Sequence, residues 1–198
     1  MFKKYFIILI SLLIFLSIFS NIINFYIQNT KESHSPNSSN INSHNWHFPT
    51  GENFFWPTPG YNNITSYFGK RKSPTTGKMS NHSGIDIGAS EGSYIYSIQS
   101  GIVTFVGFNG ANGYSIHIEN SDFIFMYAHV SPNFMVSKNT YINIGEIIAT
   151  VGPKYVQNSP NNPYKDKTGK STNGSTTGPH LHLTIKKDGI AVNPLDFL

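Results

Sequence analysis

Cysteine is absent from all 198 residues. That excludes disulfides, thiolate metal sites, cysteine nucleophiles and lipid attachment through an N-terminal Cys. Any transition-metal site must therefore use histidine and carboxylate. Charge is scarce as well: charged residues make up 12% of the chain, and the formal balance is +4. Lys3 and Lys4 supply half of that excess ahead of an apolar run. The remainder lacks the dense basic stripe of a nucleic-acid binder, and no nucleic-acid partner is expected. Beyond residue 56 no long segment carries helical periodicity, which argues against a helical bundle.

The one long apolar run lies at residues 5–27. It is 23 residues long and interrupted only by Ser11, Ser17, Ser20, Asn21 and Asn24. That length crosses a hydrocarbon core as a helix. With Lys3 and Lys4 before it, the positive-inside rule leaves the N-terminus in the cytoplasm and exports the rest. Residues 1–27 are thus expected to be a transmembrane signal anchor, and the chain a single-pass membrane protein. A cleaved signal peptide would make the protein secreted, but no A-x-A-like small-residue site follows the run. Residues 28–51 are polar and rich in Asn and Ser, the composition of a flexible linker. His34, His44 and His47 fall in it and are expected to be solvated.

Residues 52–198 form the expected folded domain. Short β-branched and aromatic runs alternate there with Gly, Asn and Pro, at 94–97, 101–108, 114–119, 123–129, 146–151 and 180–186. Period-2 alternation with closely spaced turns predicts an all-β domain, a small antiparallel sheet or sandwich. Residues 154–177 are a long Asn/Pro/Gly/Lys-rich insertion. A loop of that length in a compact domain is usually functional or mobile, and this one leads straight to the last strand signal, as a groove wall or lid would.

Three stretches carry chemistry. In His180-Leu181-His182, residues i and i+2 of a strand share a face, about 6.5–7 Å apart, so both imidazoles reach one metal and its substrate. Leu181 and Leu183 then face the core. In His82-Ser-Gly-Ile-Asp86 a straight strand would hold the ends about 13 Å apart. Sharing one ion requires the chain to turn at Ser83-Gly84, with His82 on the loop and Asp86 starting a strand. In Tyr127-Ala128-His129 the histidine ends an apolar strand beside a loop, a common place for a functional side chain. Each motif alone is weak. Together they supply what zinc catalysis requires: His82, Asp86 and one histidine of the pair as three ligands, with an open position for water. The other histidine and His129 remain as unligated imidazoles for proton transfer or oxyanion stabilisation. His117 has no place in this scheme and reads as a structural strand residue.

The segments 82–88 (HSGIDIG), 127–131 (YAHVS) and 178–183 (GPHLHL), with 56–71 and 192–198, resemble the lysostaphin/LytM-type zinc endopeptidases of bacterial cell walls. The resemblance implies that His82, Asp86 and His182 bind one zinc per chain and that His129 and His180 are the catalytic pair. It implies a small antiparallel β fold with a groove for an extended peptide. It also implies hydrolysis of peptide bonds in peptidoglycan by zinc-activated water. The insertion at 154–177 is longer than in many relatives. Other LytM-like domains have lost catalysis and act as scaffolds or regulators of cell-wall or sporulation machinery. The anchor–linker–domain layout resembles those too, although this chain keeps all five residues. A carrier-domain reading of residues 97–108 fails for want of an exposed Lys at a hairpin tip.

Overall fold

The computed structural model describes residues 54–157, 159 and 161–198. The expected membrane segment and linker lie outside these residues. Among the described residues no helix is long and apolar enough to cross a membrane.

The alternating segments fold as strands: β1 (Ile64–Ser66), β2 (Gly69–Lys72), β3 (Met79–His82), β4 (Ile85–Ile87), β5 (Tyr94–Tyr96), β6 (Gly101–Phe108), β7 (Tyr114–Glu119), β8 (Phe123–Ala128), β9 (Tyr141–Ile142), β10 (Ile147–Thr150), β11 (Leu181–Lys187) and β12 (Ile190–Val192). The only helical pieces among the described residues are two single 3-10 turns. The expected all-β antiparallel fold is what the structure has. Eight strands form one sheet in the order β1-β4-β11-β8-β7-β6-β9, with β12 paired to β11, and β5–β10 and β2–β3 form separate two-stranded ribbons.

Cross-strand register sorts the side chains between two faces. Leu181 pairs with Ile87, Leu183 with Ile85 and Tyr127, and Ile185 with Phe125. Ile116 and Ile118 continue these rows on β7. All are fully buried, and they share one core with Ile95, Ile148 and Ala149 of the β5–β10 ribbon. Burying each such side chain contributes about 1.5–3 kcal/mol. Tyr127 crosses this core, where its hydroxyl accepts a hydrogen bond from the Ile98 amide at 2.8 Å.

The opposite face carries the row Asp86, His182, Ala128 and Ser115, partners across four adjacent strands. A one-residue slip would send His182 into the core, so the apolar set on β11 fixes the polar set.

Candidate metal centre and active site

His82 is the last residue of β3 rather than part of a loop, because it pairs with Gly69 at the open end of the β2–β3 hairpin. The chain turns at Ser83 and Gly84, as the spacing required. A Cβ on Gly84 would collide with the Leu183 backbone and Thr184, so only glycine lets this turn lie against β11. Asp86 then occupies the middle of β4, directly across from His182.

The three donors converge. His182 Nδ1 lies 2.8 Å from Asp86 Oδ1 and 2.9 Å from His82 Nε2. His82 Nε2 is 3.2 Å from the same carboxylate oxygen. One ligand atom from each residue falls within 4.8 Å of the others. The far sides of the rings set the tautomers. His82 Nδ1 donates to the Tyr67 carbonyl at 2.9 Å, which leaves a lone pair on Nε2. In the tautomer that binds a metal through Nδ1, His182 Nε2 donates to Thr184 Oγ1, 2.9 Å away, and Nδ1 keeps its lone pair. Three buried lone-pair atoms that face one another repel unless a cation sits among them. This donor set of two imidazoles and one carboxylate fits a divalent ion such as zinc.

The electrostatics follow from enclosure. Burial works to raise the Asp86 pKa, but the close approach of the His182 and His82 rings outweighs it and holds the carboxyl well below its usual range. Burial lowers the pKa of His182 despite the adjacent carboxylate. Both groups thus favour the forms that ligate a metal.

His129 and His180 complete the cluster, their rings 4.7 Å apart. His129 Nδ1 donates to the Asn173 carbonyl at 2.8 Å, and His180 Nδ1 to the Gly178 carbonyl at 2.9 Å. In each neutral ring Nε2 keeps its lone pair. His180 Nε2 stands 3.6 Å from Asp86 Oδ1. His180 immediately precedes β11 instead of belonging to it. Burial, followed by His180 and His182, pushes the His129 pKa down to about 3.

His129 also has a left-handed backbone, with φ of 58°. Such a conformation persists only where neighbours hold it. The His129 amide donates to the Asn112 carbonyl, and its own carbonyl accepts from the Gly152 amide, both at 2.9 Å.

Sequence reasoning missed the residues that hold the imidazoles. Asn173, fully buried, sends its side-chain amide to the Val130 carbonyl and accepts from the Tyr114 amide, at 3.0 and 2.8 Å. Its position inside a polar insertion gave no signal. The far end of that insertion is therefore a buried support of the site, beyond the wall or lid expected of it. Thr184 did carry a signal, being the third polar residue in the i, i+2, i+4 series His180, His182, Thr184. His117 is half-buried one row from the site and packs tilted against Phe105 with ring centroids 4.8 Å apart. His34, His44 and His47 lie outside the described residues.

Residues 80–194, more than half of the chain, match the sequence profile of peptidase family M23. The chain belongs to peptidase family M23. Its likeness to LytM-type enzymes in the three histidine-bearing motifs agrees with that membership. The M23 chain is 30% identical over 136 residues to the DD-carboxypeptidase/endopeptidase Mpg of Neisseria meningitidis, a match covering 68% of this chain and 27% of that protein. It is 30% identical over 146 residues to the murein hydrolase activator NlpD of Escherichia coli, covering 72% of this chain and 30% of that protein. A zinc-containing peptidase from Vibrio cholerae superposes with a TM-score of 0.56 at 30% identity, over 71% of this chain and 39% of that one. The M23 chain thus spans less than a third of the length of either relative it matches here.

Proposed function

We propose that this chain is a membrane-anchored, extracytoplasmic zinc endopeptidase that hydrolyses peptide bonds in peptidoglycan. The observation that carries the reading is the convergence of lone pairs from His82, Asp86 and His182, with the Nε2 atoms of His129 and His180 beside them. His82, Asp86 and His182 would hold the metal. A bound zinc would lower the pKa of its water to about 7 and polarise the scissile carbonyl.

The remaining steps fall to the side chains. His129 or His180 takes one proton of the attacking water at Nε2. Its Nδ1 stays bonded to a backbone carbonyl throughout, so the ring does not turn. The other imidazole stabilises the developing oxyanion when it carries a proton on Nε2. The proton then passes to the leaving nitrogen as the C–N bond breaks, giving a carboxylic acid and an amine, which exchange a proton to end as carboxylate and ammonium. Enclosure of His129 keeps it uncharged near neutral pH, with its Nε2 lone pair free, although the same enclosure weakens it as a base. The anchor rests on the apolar segment at residues 5–27 and the two lysines before it, and it places the site outside the cytoplasmic membrane.

The experiment is a digest of purified peptidoglycan by the full-length chain, with metal content measured on the same sample. Wild-type protein is expected to bind about one zinc and release cut muropeptides. His129→Ala should retain the metal and lose about 100- to 10,000-fold in rate. The likeness to the activator NlpD supports a second reading, as a regulator of another hydrolase. Metal binding without product release, combined with stimulation of a separate wall hydrolase, would favour that reading.

A further inference from the structure

Beside the metal cluster runs a groove whose described lining includes Lys70, Arg71 and Lys72, all on β2, and one carboxylate, Asp86. Along β2 exposure alternates, so Lys70 and Lys72 are exposed and Arg71 is half-buried. Arg71 Nη2 stands 3.5 Å from Asp86 Oδ2. The other oxygen, Oδ1, faces His82, His180 and His182. Arg71 Nε is buried and, among the described residues, is the one such side-chain nitrogen or oxygen with no hydrogen-bond partner.

A guanidinium presents its donors as a rigid fork, which matches a carboxylate through two parallel bonds. A single long contact to Asp86 uses little of that capacity. A buried donor without an acceptor costs free energy, and the rest of the guanidinium, on a side chain 25% exposed, lines the open groove. Asp86 meets the fork only through Oδ2, which lies 3.5 Å from Nη2 and leaves Nε without a partner. Lys70 and Lys72 add positive field along the same wall, which draws an anion in.

We propose that Arg71 is a carboxylate subsite. It binds a free carboxylate on the peptide, terminal or side-chain, within one or two residues of the bond that is cut. The distance follows from geometry: the guanidinium adjoins Asp86, and an extended peptide advances about 3.3 Å per residue. The inference rests on the peptidase reading above and narrows it, selecting anionic stem-type peptides over uncharged bridges.

The test compares a cross-linked muropeptide dimer with free carboxylates and the same dimer after conversion of those carboxylates to carboxamides. The full-length wild-type protein should show a kcat/KM about 10- to 100-fold higher for the acid, the range of a charge-assisted bond. Arg71→Gln should abolish the preference. Arg71→Lys keeps a cation beside Asp86 without the fork and should fall between the two. Binding of both dimers is measured in parallel by calorimetry on His129→Ala and on His129→Ala with Arg71→Gln. The proposal is overturned if wild-type protein treats both dimers alike. It is equally overturned if both Arg71 variants lower the two kcat/KM values by one common factor, which would mean that Arg71 only positions Asp86. If neither dimer is cut but the acid form still binds more tightly through Arg71, the peptidase reading fails and the subsite stands.

Discussion

A neutral histidine offers one lone pair, and the contact made by its other nitrogen decides which face of the ring carries it. At this site every functional imidazole has that contact. His82 is set by the Tyr67 carbonyl, His182 by Thr184, His129 by the Asn173 carbonyl and His180 by the Gly178 carbonyl. Three of the four partners are backbone atoms, which point mutation cannot delete. Thr184 is the exception. Replacing it with Val keeps shape and burial but removes the acceptor for His182 Nε2–H. The ring can then place its proton on Nδ1, where it competes with the metal. Thr184→Val is expected to weaken zinc affinity by about 10- to 100-fold with little change in the fold. Competition with a chromogenic chelator measures it, and unchanged affinity would show that Thr184 does not set the tautomer.

At the scale of elements, strands that bury one face were legible and the others were not. β6 and β7 appear at the boundaries that alternation predicted, because their apolar sets must reach the core. The β2–β3 hairpin gave no such pattern, since Gly-Lys-Arg-Lys and Met-Ser-Asn-His bury almost nothing along their length. β4 was legible only through Asp86, its three residues being buried on both faces. The proximity of His82, Asp86 and His182 could be reached from spacing and turn chemistry. The support from Asn173 could not, because it depends on a long insertion returning to the end of β8. Asn173→Ala should leave the Tyr114 amide and the Val130 carbonyl without partners, at a cost of about 1–3 kcal/mol for each group left unsatisfied. The His129 ring would lose its fixed tilt, since the carbonyl it donates to belongs to the loosened segment. The expected outcome is a lower melting temperature and a lower kcat with zinc content intact. Loss of zinc in step with activity would place Asn173 in the metal's support instead.

For the molecule as a whole, folding encloses several groups that each resist protonation. The His129 pKa is pushed from 6.5 down to about 3, first by burial and then by His180 and His182. That of His182 is lowered too, with burial the largest cause. Asp86 is held well below 3.8 by its histidine partners against the effect of burial. Between 6.5 and about 3 the unfolded chain therefore binds protons at positions 129 and 182 that the folded chain refuses, and below 3.8 it does so at Asp86 as well. Stability must then fall as pH falls through this window, and be complete above 6.5. Zinc adds to the slope, because protons compete for the lone pairs that would hold it. Protein treated with chelator should melt at progressively lower temperature from pH 6.5 downward, and His129→Gln should flatten part of that decline. Added zinc should raise the melting temperature most near neutral pH and hardly at all at pH 4. A chelated protein whose melting temperature stays level from pH 7 to 4 would mean that these histidines accept protons freely in the folded state, contrary to the enclosure on which both the metal site and the base depend.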